Sequence, residues 1–313
     1  MQSTLHWYEI DAFTRKHVTI ASCYTTSPDR LSGRLKHLES VKLKGKPRAA
    51  MFNLITEDWG GHVTPWVQEP ARSFDCLKSL HFRIIVKDSD LESLARQRGR
   101  ALLYLKLDKC SGFSTDGLLH FARFCRNLQT LFLEESSISK NDGEWLHELA
   151  LNNSVLENLN FYMTDLNKFN FENLELIARN CQSLVSVKVG NDCEVPNLDS
   201  FFHAASSLEE FGGGFFNEKS ERYTNLKYPP RLCQLGQTYI GKNEMHIVFP
   251  IAKSLKKLDL LYAFLGMEDI CLLIQKCHNL EVFETMNVIG DGGVGSFMGW
   301  GWMMEVLLKE AQD

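Results

Sequence analysis

The sequence predicts an α/β fold, an open solenoid of strand–turn–helix repeats, and two observations carry that prediction. The first is a recurring apolar cassette, L-x-x-L-x-L, clearest at Leu128, Leu131 and Leu133. It returns at Leu38/Val41/Leu43, Leu77/Leu80/Phe82, Leu102/Leu105/Leu107, Leu156/Leu159/Phe161, Leu184/Val187/Val189, Leu208/Phe211, Leu232/Leu235, Leu255/Leu258/Leu260 and Leu280/Phe283. The second is its spacing. Between successive first leucines, one gap of 39 residues is followed by gaps of 25, 26, 28, 28, 24, 24, 23 and 25. That period with that pattern is the signature of leucine-rich repeats. One repeat cannot fold alone. Burying its three large apolar side chains gives about 1.5–3 kcal/mol each, while ordering each residue costs about 1.5 kcal/mol. Neighbours stacked on both faces must supply the rest.

Taken in order, Leu5–Val18 places Trp7, Ile10 and Phe13 at near-helical spacing and predicts a short amphipathic helix. Pro28-Asp29-Arg30-Leu31 reads as a helix start, with Ser27 as its cap and proline at the first helical position. Leu38–Leu43 is the first predicted repeat strand. The long first gap then implies a loop inserted within Lys42–Gly61, and loops on one edge of a solenoid commonly form its binding surface. From Cys76 the repeats are regular, each a strand, a turn and a returning helix. The clearest helices are Thr115–Ala122, Glu172–Asn180 and Glu268–Cys277. Gly212–Pro230 reads as a looser connection rich in turn residues. After Asp291 the cassette stops, and no polar capping repeat is recognisable.

Composition narrows the function classes. An apolar share of 44%, a charged share of 23% and a net charge of -5 fit a soluble globular chain and argue against a general nucleic-acid binder. No apolar run is long enough to cross a bilayer, and Met1–Trp7 has no signal-peptide pattern. Nine cysteines include no C-x-x-C pair. Cys125, Cys181 and Cys277 each stand three residues before a cassette leucine, which marks them as small buried apolar residues in a reducing compartment, cytosol or nucleus.

No nucleophile elbow, P-loop, H-E-x-x-H or paired-cysteine metal set is present, so the sequence predicts a binding protein, not an enzyme, with no metal site. One electrostatic feature stands out. Lys42, Lys44, Lys46 and Arg48 alternate within an acidic chain, and strand alternation puts Lys42 and Lys44 on one face. Such a cluster suits a multiply charged anion, with the Arg48 fork matched to a carboxylate or phosphate.

The same stretch carries a family resemblance. K-L-K-G-K-P-R-A-A-M-F-N-L at 42–54 and W-G-G-H-V-T-P-W-V at 59–67 resemble the coronatine-insensitive F-box/leucine-rich-repeat family, the plant jasmonate co-receptors. R-K-H-V-T-I-A-S-C-Y-T-T-S-P-D-R-L, L-K-L-D-K-C-S-G-F-S-T-D-G-L-L, D-G-E-W-L-H-E-L-A and K-K-L-D-L-L-Y-A agree, so the resemblance spans about residues 6–294. The sister auxin receptors share K-G-K-P and F-N-L, but Arg48-Ala49-Ala50-Met51 points to the jasmonate branch.

The resemblance implies a substrate-recognition subunit of an SCF-type ubiquitin ligase in hormone and plant-defence signalling, located in nucleus and cytoplasm. A Skp-type adaptor and cullin would be its ligase partners. Jasmonoyl-isoleucine and a jasmonate ZIM-domain repressor would bind above an inositol polyphosphate cofactor. By position, Arg48, Ala49, Phe52 and Leu54 fall on the hormone pocket. His17, Lys42, Lys44, Arg48, Met51 and Arg83 fall on the cofactor site and pocket floor. Glu135, Asp165, Leu261 and Tyr262 fall on repressor contacts. There are departures: Phe82-Arg83-Ile84 has one arginine where the family tends to have two, and Met286 stands where the family has arginine. The resemblance further implies truncation at both ends, with residues 1–18 a remnant of the last F-box helix, 19–294 the repeat array and 295–313 an unrelated tail. A groove with one wall is open to water. A carboxylate opposite Arg48 would then gain roughly 0–1 kcal/mol, against about 8 kcal/mol for micromolar binding. On that expectation the chain alone binds hormone and repressor weakly, and a scaffold or decoy without adaptor binding is the alternative role.

Overall fold

A computed structural model of the chain describes residues 9–21, 26–44, 64–140, 142–166, 168–196, 198–215, 223 and 225–286. The chain divides into two compact units, Met1–Cys181 and Gln182–Asp313.

In the first unit, parallel strands alternate with helices. They run α1 (9–14), β1 (His17–Ile20), α2 (Pro28–Arg34), β2 (Ser40–Lys44), α3 (Thr64–Ser73), β3 (Ser79–Arg83), α4 (Asp88–Arg98), β4 (Tyr104–Leu107), α5 (Thr115–Phe124), β5 (Thr130–Phe132), α6 (Glu144–Asn152), β6 (Asn158–Asn160) and α7 (Glu172–Asn180). Each strand pairs in parallel with the next in sequence order, and the cassette residues lie opposite one another. Val41, Leu80, Leu105, Leu131 and Leu159 form one row, and Leu43, Phe82 and Leu107 begin a second. All eight are at most 2% exposed. Parallel register thus stacks like on like, and each repeat's apolar residues are covered by those on either side.

Two expectations about the start of the array need correction. The predicted helix over Leu5–Val18 ends at Thr14 within the described residues, and His17–Ile20 form a strand. The array therefore begins one strand earlier than Leu38–Leu43. The physical reason is local: Val18 and Ile20 align with Val41 and Leu43, and the Lys16 carbonyl accepts from Glu39 N at 2.8 Å and Ser40 N at 3.0 Å. Helical spacing persists only as far as Phe13, where alternation takes over.

The second unit comprises β7 (Ser186–Lys188), α8 (Leu198–Ala204), β8 (Glu210–Gly212), β9 (Gln234–Thr238), β10 (Lys257–Leu261), α9 (Met267–Lys276) and β11 (Val282–Met286). Its strands are also parallel and sequential, with Val187, Phe211, Leu235, Leu258 and Phe283 in one row. The expected returning helix is missing between β9 and β10. Two 3-10 segments, Lys242–Ile247 and Phe249–Ile251, replace it. Pro250 falls in this stretch, and without an N–H it cannot continue an α-helical ladder. The predicted insertion loop beyond Lys44, much of the Gly212–Pro230 connection and the tail beyond Met286 lie outside the described residues.

Helix ends agree closely with the sequence signals. Ser27 caps α2 by accepting from Arg30 N at 3.4 Å, with Pro28 at the first position. Cys125, Cys181 and Cys277 follow α5, α7 and α9, and their N–H groups close the last turns onto Phe121, Ile177 and Leu273 carbonyls. All three are buried, which pushes their thiols up, to about 12 for Cys125 and about 11 for Cys277. The described cysteines are all free. No described helix is long and apolar enough to cross a membrane.

Buried polar groups are bridged between repeats. Asn153, 3% exposed, donates to the Leu128 carbonyl at 2.9 Å and the Cys125 carbonyl at 3.3 Å, and accepts from Val155 N at 3.0 Å. Ser136 donates to the Leu107 carbonyl at 2.8 Å and accepts from Cys110 N at 3.0 Å. Gln237 is different. It holds the third cassette position of β9, is 2% exposed, and neither amide atom has a partner among the described residues. A buried unpaired amide costs about 1–3 kcal/mol. Gln237→Leu is therefore expected to raise the urea unfolding free energy by about 1–3 kcal/mol; an unchanged or lower midpoint would contradict that assignment.

Candidate functional site

The residue between the last two cassette positions, the x of L-x-L, points away from the core because strand side chains alternate. In the first unit this outward row reads Lys42 on β2, His81 on β3, Lys106 on β4, Phe132 on β5 and Asn160 on β6, each opposite its neighbour. The burial of β2 alternates accordingly: Val41 and Leu43 are buried, Lys42 is half-buried and Lys44 is exposed. Lys44 is opposite Arg83, which is also exposed. The two lysines do share a face, as the alternation predicts, and Arg83 joins them from the next strand. His17 is exposed on β1, opposite Ser40, two residues upstream of the level of Lys42. Arg48, Ala49, Met51, Phe52 and Leu54 lie outside the described residues.

Two members of this face were missed by sequence reasoning: His81 and Lys106. Both occupy the x of a cassette, so the repeat alignment itself was the signal that could have found them. Burial pushes the His81 imidazole down to about 4, and Lys42 and Lys106 on either side add to the effect. Asp108 opposes it, with Oδ2 3.5 Å from His81 Nε2. His81 is thus neutral near pH 7. Lys106 Nζ sits 3.5 Å from the centroid of the Phe132 ring, an arrangement that stabilises the ammonium on the surface. Lysines and an arginine on adjacent strands, with donors aimed outward, are chemically suited to phosphate or carboxylate groups.

The proposed repressor contacts sit elsewhere, and a turn geometry accounts for two of them. Among the described residues, five non-glycine residues have positive φ: Lys109 at 54°, Glu135 at 54°, Met163 at 52°, Tyr239 at 57° and Tyr262 at 54°. Each lies two residues after the third cassette position, at Leu107, Leu133, Phe161, Gln237 and Leu260. The chain turns at these five positions, and a left-handed residue makes each turn. Lys109 and Glu135, from successive turns, form an ion pair at 2.6 Å. Within the second unit the rings of Tyr239 and Tyr262 stack, 5.4 Å apart and 14° from parallel. Asp165 is exposed in the turn after β6. Leu261 is a correction: at 1% exposure it is core, and it offers a partner no surface. It ends β10 opposite Thr238 and Met286, and its carbonyl accepts from Tyr239 N at 2.9 Å.

Comparison with known proteins places this geometry in context. Residues 36–82 match the family model described as the Transport inhibitor response 1 protein domain. That stretch contains Lys42, Lys44 and His81. Coronatine-insensitive protein 1 of Arabidopsis thaliana is 60% identical over 292 residues, covering 92% of this chain and 49% of its own length. Coronatine-insensitive protein homolog 1b of Oryza sativa subsp. japonica is 56% identical with the same coverage. F-box protein FBX14 of Arabidopsis thaliana is 31% identical over 298 residues, covering 92% of this chain and 48% of its own. The chain spans about half the length of the curated relatives it matches.

The left-handed turns carry a cost that substitution reveals. A left-handed residue bearing a Cβ costs roughly 1–2 kcal/mol, and a β-branched one more. Met163 is exposed, so its side chain contributes little packing. Met163→Val is expected to lower stability by about 1 kcal/mol relative to Met163→Gly in urea unfolding. Equal midpoints for the two variants would contradict the turn assignment.

Proposed function

We propose, for a chain that belongs to the coronatine-insensitive family, that it forms the ligand- and substrate-recognition surface of an SCF-type ubiquitin ligase. In this reading it is a jasmonate co-receptor: jasmonoyl-isoleucine and a ZIM-domain repressor bind its outward face above an inositol polyphosphate. A Skp-type adaptor links it to the cullin, and it works in nucleus and cytoplasm as a binding protein. The observation that carries this reading is 60% identity to a coronatine-insensitive protein over 92% of the chain.

The residues have distinct tasks in this scheme. Lys42, Lys44 and Arg83 hold the polyphosphate by charge-assisted hydrogen bonds, with His17 at the edge of the same face and Arg48 and Met51 on the pocket floor. Arg48, Ala49, Phe52 and Leu54 receive the hormone. Glu135, Asp165 and the Tyr262 ring meet the repressor. Leu261 acts only by holding Tyr262 in place. Phosphate contacts at a water-exposed face are individually modest, so the polyanion's multiple charges must engage several cations together.

The test is titration calorimetry of inositol hexakisphosphate into the folded chain, with Lys42→Ala and Arg83→Ala compared. Each variant is expected to weaken binding by about three- to tenfold, the equivalent of about 1 kcal/mol. Affinity unchanged in both would remove the polyanion from this face. Pull-down of a repressor degron peptide and a Skp-type adaptor then separates roles. Hormone-dependent capture of the peptide supports the co-receptor reading. Capture of peptide without adaptor assigns a scaffold or decoy role, and capture of neither contradicts both.

A further inference from the structure

We infer that His81 is a proton-coupled member of the anion site: a multiply charged anion held across β2, β3 and β4 draws a proton from solvent onto the His81 imidazole. This rests on the reading of that face as an anion site and adds to it two residues, His81 and Lys106, and a dependence on pH.

The geometry leads there in three steps. Strand register fixes His81 directly between Lys42 and Lys106 on the outward side of the sheet, so any anion bridging the two lysines lies against the imidazole. Among the described residues, the charged groups facing His81 are then few. From β2 come Lys42 and, one level along, Lys44. From its own strand comes Arg83. From β4 come Lys106 and, just beyond the strand, Asp108 with its carboxylate 3.5 Å from Nε2. Half-burial imposes the larger penalty on the imidazolium, and among the described residues the cations outnumber the one carboxylate, Asp108. Together these hold the free imidazole neutral, at about 4. A bound polyanion reverses the balance. It neutralises the field of both lysines and places negative charge beside the ring, and each change favours the imidazolium. Asp108 then lies ready as a partner for the new charge.

The consequence is a coupling between proton and anion. The free site binds no proton at His81 near neutral pH, and the occupied site does, so affinity must rise as pH falls. The gain is at most about tenfold per pH unit for one proton. A site built of lysines and arginine alone would show no such slope, because those groups stay charged throughout the range.

The test needs a polyanion that does not titrate, which makes inositol hexasulfate the probe. Calorimetry on the full chain from about pH 7.5 to 5.5, in buffers of different ionisation enthalpy, reads affinity and proton uptake together. The expected result is affinity rising at least about fivefold across that range, with net uptake approaching one proton. His81→Gln should show neither slope nor proton uptake across the range. Binding with no proton uptake, or uptake retained in His81→Gln, would overturn the proposal while leaving the anion site standing. Absence of binding at every pH would overturn the anion site and the proposal together. Should His81→Gln fail to fold, the His81 ring resonances of the unsubstituted chain, followed by NMR against pH, decide. They should titrate higher with hexasulfate than without it, and coincident curves would refute the coupling.

Discussion

Everything in this chain follows from the mutual burial of cassette residues between adjacent parallel strands. Val41 against Leu80, Leu80 against Leu105 and Leu105 against Leu131 are contacts between repeats, and none of them exists within one. Because a slip of one residue would turn every leucine outward, the apolar rows lock the register. The register in turn fixes which residues face water. A polar residue in the row is tolerated poorly, and Gln237, with neither amide atom partnered among the described residues, is a row position where that occurs.

Function is written on what the lock leaves free. The outward row of the first unit begins basic, with Lys42, His81 and Lys106, and turns to Phe132 and Asn160. In the second unit the corresponding residues include Lys188 and Gly212 and then Asp259 and Glu284. Cations and carboxylates are thus sorted along the sequence of strands, not scattered. The turns add a second outward series at the left-handed positions, where Lys109 meets Glu135 and Tyr239 stacks on Tyr262. Within each unit, one backbone pattern therefore produces two outward series, one of strand residues and one of turn residues. Within the strand series, the low proton affinity of His81 comes first from its half-burial and then from the like charge of Lys42 and Lys106.

The fold was largely legible because the cassette is a physical requirement of stacking and leaves a period in the sequence. The shared face of Lys42 and Lys44 was legible for the same reason. What escaped was mostly local competition. Leu5–Val18 carries helical spacing at Trp7, Ile10 and Phe13, but Val18 and Ile20 pair with β2 and convert its end to strand. The 3-10 segments after β9 replaced an expected helix where Pro250 interrupts the ladder. His81 and Lys106 were passed over because they are single residues, without neighbours in sequence; only the alignment of repeats brings them beside Lys42. Leu261 was assigned to a repressor contact by the family resemblance, which carries no information on burial, and neighbouring residues cover it to 1% exposure.

The central claim is that strand register gathers Lys42, Lys44, Arg83, His81 and Lys106 into one polyanion-binding face. Lysine footprinting by acetylation and mass spectrometry, with and without inositol hexakisphosphate, reads that face directly. The account predicts that Lys42, Lys44 and Lys106 lose reactivity when the anion is present, while Lys256 and Lys276 keep theirs. Uniform reactivity across all five, or protection confined to Lys256 and Lys276, would contradict it.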